Sequence, residues 1–325
     1  MVLEVLSLKN INKHFGTLRA NQNISLTLNR GEVLALLGEN GAGKTTLMNI
    51  LFGHYVADSG EIEVRGKILP KGSPKASIEA GLGMVHQHFT LADNLSVLDN
   101  IILGTHQIWN FRLQRKEAAD RIIDLGSRFG LEVDPNLRVA ELSMGERQRV
   151  EILKALYRNA SILILDEPTA VLTPQESRTL FKTLRQLLND GLSIIFISHK
   201  LAEVLEVSDR IAVLRDGKLV MEENVSETSE KMLAKAMVGR SFKMPIRKET
   251  TVGESLLALE NVSVSTPERV GVLDRASFSV NSSEVVGLAG ISGNGQRILA
   301  DIINGMQSPT TGKVFLYGKE IKRFN

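Results

Sequence analysis

The stretch Gly38-Glu39-Asn40-Gly41-Ala42-Gly43-Lys44-Thr45-Thr46 carries residue types at a spacing that suits one chemistry, the binding of a nucleoside triphosphate. Gly38 to Gly43, followed by Lys44 and Thr45, fits the phosphate-loop pattern G-x-x-x-x-G-K-[ST]. Glycines let backbone N–H groups curl around a β-phosphate, and the helix opening behind them aims its positive end at the same charge. Lys44 would reach the β- and γ-phosphates, and the Thr45 hydroxyl would ligate Mg2+. A second group lies downstream, where Ile162-Leu163-Ile164-Leu165 ends in Asp166-Glu167. Asp166 would ligate the metal directly or through water, and Glu167 would act as the base that polarises an attacking water. Alone, that run also reads as a strand ending in two solvated acids; the phosphate loop upstream favours the catalytic pair.

These groups need rigid elements to hold them. Residues 3–8, 24–28, 33–37 and 61–64 alternate or run apolar as short strands between polar turns. From about Leu91 the texture changes, and 94–103, 116–129 and 145–157 have helical period, a mostly α insertion. The runs 161–165 and 193–197 are apolar after their leading serines, as expected of parallel strands buried on both faces, with a helix over 174–188 between them. The alternation predicts an α/β fold with a layered βαβ core.

Composition bounds the function. A chain of 325 residues suggests about two domains. A formal charge of +2 provides no broad basic field, so nucleic acid is not expected as a partner. With no cysteine, disulfides and thiolate metal sites are excluded and a reducing compartment is suited. No apolar run approaches the ~18 residues of a membrane helix, and the start of the chain alternates like a strand rather than a signal peptide. Service to a membrane would run through partners.

An internal repeat organises the rest. Adding 252 to residue numbers maps Glu32-Val33 onto Glu284-Val285, and Gly38, Gly41, Gly43, Gly53, Gly60 and Gly66 onto Gly290, Gly293, Gly295, Gly305, Gly312 and Gly318. The first copy is expected over 1–240, with a helical subdomain at about 90–160. A polar linker over 241–254 leads to a second copy over 255–325 that stops at the equivalent of Ser73, so it is expected to be partial. In copy two Gln296 replaces Lys44 and Arg297 replaces Thr45, so the turn is kept while the ammonium and the hydroxyl are lost, and efficient hydrolysis is not expected there.

Leu142-Ser143-Met144-Gly145-Glu146-Arg147-Gln148 resembles the signature motif of ATP-binding cassette ATPases, usually written LSGGQ, with Met144 and Glu146 departing from it. Other marks of that family stand in order: Phe15 in Lys13-His14-Phe15-Gly16, Gln87 in His86-Gln87-His88-Phe89, and His199 in Ser198-His199-Lys200. The resemblance implies a mixed-sheet nucleotide-binding domain with a helical subdomain. It implies that Phe15 stacks on adenine, Gln87 contacts Mg2+ and faces the transport subunit, and His199 hydrogen-bonds the γ-phosphate. It also implies that Ser143 and Gly145 cap the γ-phosphate held by another cassette, in a head-to-tail pair glued by ATP. Thr173 stands where many cassettes place an aspartate for signalling across that pair, a departure from its usual form. The intact first loop, the Gly-Asn-Gly-Gln second loop and Asp-Glu-Pro-Thr-Ala-Val-Leu-Thr-Pro-Gln-Glu resemble tandem-cassette ATPases of bacterial simple-sugar and nucleoside importers, His86-Gln87-His88-Phe89 favouring the nucleoside branch.

The function implied is an ATP-hydrolysing, energy-coupling subunit, peripheral on the cytoplasmic face of the membrane. Its partners would be membrane permease subunits and an extracytoplasmic solute-binding protein. The rivals are a soluble cassette ATPase outside transport and a catalytically weak nucleotide-binding or regulatory fragment. The chain by itself is expected to bind MgATP but to turn over slowly unless two first cassettes pair. His86 and His88 would share a strand face and could chelate a metal, but no third ligand is suggested. His14, His54 and His106 read as surface or turn residues, Trp109 as a packed or exposed aromatic rather than a membrane-subunit contact, and Arg112, Arg115, Lys116 and Arg121 as a solvated helix face.

Overall fold

The computed structural model describes residues 3–87, 89–105, 111–239, 251–266, 269–290 and 294–321. The chain divides into two compact units, Met1–Lys243 and Met244–Asn325. His88, His106, Trp109, the Arg112 side chain and most of 241–254 lie outside the described residues. Among the described residues no helix is long and apolar enough to cross a membrane.

The first unit opens with β1 (Glu4–Phe15), β2 (Leu18–Asn29), β3 (Val33–Leu37), α1 (Lys44–Phe52), β4 (Ser59–Val64), β5 (Lys67–Ile68), α2 (Pro74–Glu79) and β6 (Leu82–Val85). Helices follow: α3 (Val97–Ile102), α4 (Phe111–Phe129) and α5 (Met144–Tyr157). The chain then alternates β7 (Ile162–Asp166), α6 (Pro174–Asn189), β8 (Ser193–Ile197), α7 (Leu201–Val207), β9 (Arg210–Arg215), β10 (Lys218–Asn224) and α8 (Glu230–Val238).

Two sheets result. An antiparallel sheet has the order β2-β1-β4-β5, and a six-stranded sheet has the order β10-β9-β3-β8-β7-β6, parallel from β9 to β6 with β10 antiparallel at its edge. The large sheet is apolar on both faces. Val33, Ala35 and Leu37 of β3 join the cluster that includes Val97, Ile101, Ile122, Ile152 and Leu184 from the helices, while Leu34 and Leu36 join Leu6, Leu8, Ile24 and Leu28 of the antiparallel sheet. β7 and β8 split the same way, with Leu163, Leu165, Ile194 and Phe196 on one side and Ile162, Ile164, Ile195 and Ile197 on the other. Each such fully buried side chain stabilises the layer by about 1.5–3 kcal/mol, which is why these runs show no polar alternation.

Several boundaries differ from the sequence expectation. β1 runs on to Phe15 and β2 begins already at Leu18, because 9–15 and 18–23 form the polar half of a long hairpin that pairs through backbone and polar side chains, a stretch with no clean alternation to read. β6 ends at Val85, so His86 lies past the strand and on no strand face, while His88, its expected partner, lies outside the described residues. Nor is the basic stripe of α4 a plain solvated face. Arg115 pairs with Asp99 of α3, and Arg121 lies 4.6 Å from the Tyr157 ring centroid and donates to Asn159 Oδ1. His14 sits near the end of β1 beside Asp58, and His54 stacks on His86 with centroids 6.1 Å apart.

The second unit comprises β11 (Ser255–Thr266), β12 (Arg269–Asn281), α9 (Gln296–Ile303), β13 (Thr311–Leu316) and β14 (Lys319–Glu320), its sheet ordered β12-β11-β13-β14. Backbone geometry repeats at the same offset: Gly43 (φ 101) and Gly295 (φ 88) precede α1 and α9, and Arg65 and Tyr317 both have φ 50. The mapping fails at one element. β3 is flanked by β8 and β9 in the first unit, whereas Val285–Ala289 forms no strand and Val285 is 87% exposed. A strand needs neighbours for its hydrogen bonds, and none stands beside this run among the described residues.

Candidate functional site

The phosphate loop leaves β3, the middle of the large sheet, and turns into α1. Two of its glycines are required on steric grounds. A Cβ on Gly43 would lie 2.2 Å from the Ala20 carbonyl oxygen, at φ 101, and one on Gly38 would lie 2.4 Å from the Leu214 carbonyl oxygen. The loop is thus wedged between β2 and β9 with its backbone turned outward. Asn21, fully buried on β2, donates to the Gly43 carbonyl at 3.1 Å and fixes this turn. α1 has no side-chain cap and no acid in its first turn. Its leading N–H groups and dipole therefore face outward unneutralised, the arrangement that suits a bound phosphate.

Lys44 is buried, and its ammonium donates to the carbonyls of Gly38 at 2.6 Å and Glu39 at 3.0 Å. Burial pushes the Lys44 ammonium below the usual lysine range, against the pull of the Glu167 and Asp166 charges. The acid at the end of β7 shows the reverse. Burial, then the Glu167 charge, pushes the Asp166 carboxyl up, while His86 and Lys44 draw it down. The lysine and both acids therefore sit within one electrostatic neighbourhood, short of water. A cation between the acids and the triphosphate would relieve this desolvation. Mg2+ is bound by one or two carboxylates together with substrate phosphates, and Thr45, Asp166 and Gln87 offer that kind of donor set.

Glu167 follows Asp166 with φ 47, a left-handed conformation uncommon for a residue with a Cβ. Its N–H donates to the Ile197 carbonyl at 2.9 Å, so the chain leaves β7 still tied to β8. Its carboxylate lies 2.8 Å from His199 Nδ1 through one oxygen and accepts from Gln87 Nε2 at 3.5 Å through the other. Residues just past the ends of β6, β7 and β8 thus converge on one carboxylate. Phe15, 43% exposed at the end of β1, meets Tyr55 edge-on at 5.6 Å and carries Lys13 5.3 Å from its centroid.

Ser143 and Gly145 are occupied elsewhere. Ser143 caps α5, and the Glu146 carboxylate accepts from its N–H at 2.9 Å and its hydroxyl at 2.8 Å, closing a capping box. The Ser143 hydrogen bonds hold the Glu146 carboxyl below the usual range. Glu146, where the motif usually has glutamine, is therefore the N3 residue of this cap. Thr173 plays the same part for α6 with Glu176, whose Oε1 would lie 2.6 Å from a Cβ on Gly145. The starts of α5 and α6 thus touch.

Sequence reasoning missed Asn21, Tyr55, Thr169, Lys200, Glu203 and Glu176. The capping boxes had a local signal, S/T-x-x-E, in Ser143-x-x-Glu146 and Thr173-x-x-Glu176, and Lys200 and Glu203 stand at the local i,i+3 spacing; Asn21, Tyr55 and Thr169 are tertiary partners with none. Among the described residues no group of three or more His, Asp or Glu side chains forms a metal cage, so His86 belongs to none.

The profile of the ABC transporter family matches residues 21–170 and 273–325. The guanosine import ATP-binding protein NupO of Bacillus subtilis is 44% identical over 98% of this chain and 62% of its own length. The glucose import ATP-binding protein TsgD13 of Haloferax volcanii is 43% identical over 97% of this chain and 63% of its own. The chain thus spans less than two thirds of the length of these relatives. Among solved structures, a nucleotide-free ATP-binding cassette from an ABC transporter superposes with TM-score 0.64 at 26% identity, covering 73% of this chain and 96% of that one. A dimeric bacterial ABC transporter cassette gives 0.58 at 25%, covering 68% and 98%.

Proposed function

The chain belongs to the ABC transporter family of ATP-binding cassettes, and from that premise we propose that it hydrolyses ATP to drive import of a small polar solute, a sugar or nucleoside. The observation that carries this is the Glu167 carboxylate, held between His199 and Gln87 one residue after a desolvated Asp166. Glu167 takes the proton of the attacking water. His199 orients that carboxylate and stands beside the γ-phosphate, Lys44 and the loop N–H groups hold the phosphates, and Phe15 stacks on adenine. Mg2+, held by Thr45, Asp166 and Gln87, supplies charge neutralisation on the phosphates.

The first unit acts as the nucleotide-binding domain, with a helical subdomain over about 90–160. Residues 241–254 are a linker, and 255–325 belong to a degenerate second copy in which Gln296 cannot replace the Lys44 ammonium. Ser143 and Gly145 serve the nucleotide of another cassette, head to tail. A dimeric cassette among the fold neighbours supports that pairing. Membrane permease subunits and an extracytoplasmic solute-binding protein complete the assembly, with this subunit peripheral on the cytoplasmic face.

The test is MgATP binding and turnover by the full chain, wild type against Glu167→Gln. Turnover should fall by about 10²–10⁴-fold with binding retained, the range of general-base catalysis; equal rates end the catalytic assignment. For transport, co-purification with a membrane permease supports the proposal, and stable ribosome association overturns it.

A further inference from the structure

Beside the Glu167–His199 pair lies a second polar cross-link between the same two strand ends. Thr169, two residues after Glu167, is 1% exposed, and its hydroxyl donates to Glu203 Oε2. The Lys200 ammonium, one residue after His199, donates to the Thr169 carbonyl at 3.0 Å, to its hydroxyl at 3.4 Å and to Glu203 Oε1 at 3.1 Å. Glu203 lies in the first turn of α7 and therefore receives one hydrogen bond from each side. Among the described residues, none of these three side chains makes a hydrogen bond or ion pair with Lys44, Asp166 or the phosphate loop.

The arrangement has a mechanical consequence. β7 and β8 are adjacent parallel strands in register up to Asp166 and Ile197. Beyond that point, among the described residues, the Glu167 N–H to Ile197 carbonyl bond is the one backbone–backbone link between the two loops, and side chains make the rest. His199 is 54% exposed at its side chain, so packing does not fix it. Charge-assisted hydrogen bonds from a partly buried ammonium are about twice as strong as neutral ones, and here they tie the residue next to His199 to the segment that runs on to Thr173, the cap of α6.

We propose that Thr169, Lys200 and Glu203 form a latch that positions His199 against Glu167, so that displacement of the 169–173 segment releases the histidine. They are positioning residues, acting through Glu167 and His199 rather than on the nucleotide. The latch rests on the hydrolytic role proposed for that pair.

The test uses the full chain with Lys200→Met, Thr169→Val, their double variant and Lys200→Arg. In the two single variants kcat should fall about tenfold, the scale of one charge-assisted hydrogen bond, with KM for MgATP within about twofold of wild type. The double variant should be no worse than the poorer single one, because both break one network, and Lys200→Arg, which keeps donors for the Thr169 carbonyl and for Glu203, should recover most of the loss. Amide hydrogen exchange should speed up together in 167–173 and 198–203, with the melting temperature of the first unit held. An unchanged kcat, a parallel rise in KM, or additive losses would overturn the latch. If wild type shows no turnover, the hydrolytic reading fails instead. The exchange measurement still decides the latch: acceleration confined to one of the two segments sinks it.

Discussion

Replacing Gly145 by alanine tests whether the starts of α5 and α6 are coupled. The new Cβ would sit 2.6 Å from Glu176 Oε1 and 3.2 Å from Cδ. Moving Oε1 out to ordinary contact at ~3.5 Å displaces the carboxylate by about 0.9 Å. Glu176 Oε2 accepts from the Thr173 N–H and hydroxyl, both at 2.8 Å, and a shift of the whole carboxylate by that amount away from Thr173 stretches these contacts to as much as ~3.7 Å, beyond hydrogen-bond range. Losing this half of a capping box costs about 1 kcal/mol. Against it, alanine is a better helix former than glycine, by a few tenths of a kcal/mol this near a helix start. Gly145→Ala should therefore destabilise the first unit by about 0.5–1 kcal/mol, a drop of roughly 2–4 °C in melting temperature per kcal/mol for a unit of this size. In a Glu176→Ala background the obstacle is gone and the cap already lost, so the same substitution should be neutral or slightly stabilising. Urea unfolding of the four proteins of this cycle, followed by far-UV circular dichroism, reads the change of sign. An equal cost for Gly145→Ala in both backgrounds refutes the contact as the cause.

Two further outcomes are expected. Phe15→Ala should weaken ATP binding by about 1–3 kcal/mol, the scale of one base stacked on an aromatic ring, while leaving inorganic triphosphate binding unchanged; titration calorimetry with both ligands compares them. The Glu146 carboxyl is held below the usual range by Ser143, so the folded state binds that proton less readily than the unfolded chain. Its contribution is present above the ordinary glutamate pKa, near 4.5, and is lost as pH falls through the lowered folded value. Denaturation between about pH 6 and 3 should show a steeper acid-side loss for wild type than for Glu146→Gln, and identical slopes would remove Glu146 from the account.

What the amino-acid order determined by itself is whatever depends on neighbours along the chain. The Gly38–Lys44 loop, the apolar run ending in Asp166, and the helix starts at Pro174 and near Gly145 are set by backbone freedom, burial on both sheet faces and local caps. The repeat at 252 residues survives in backbone angles even where Tyr317 replaces Arg65, because a turn is fixed by its dihedral requirement more than by one side chain. The folded chain alone decided what the strand order brings side by side. β7 lies next to β8 although a helix separates them in sequence, and so His199 meets Glu167 and Lys200 meets Thr169. Asn21 reaches Gly43 from β2, Tyr55 braces Phe15, and Glu176 faces Gly145 for the same reason. A polar contact between distant segments leaves no periodicity in either, so only packing of the sheets can reveal it.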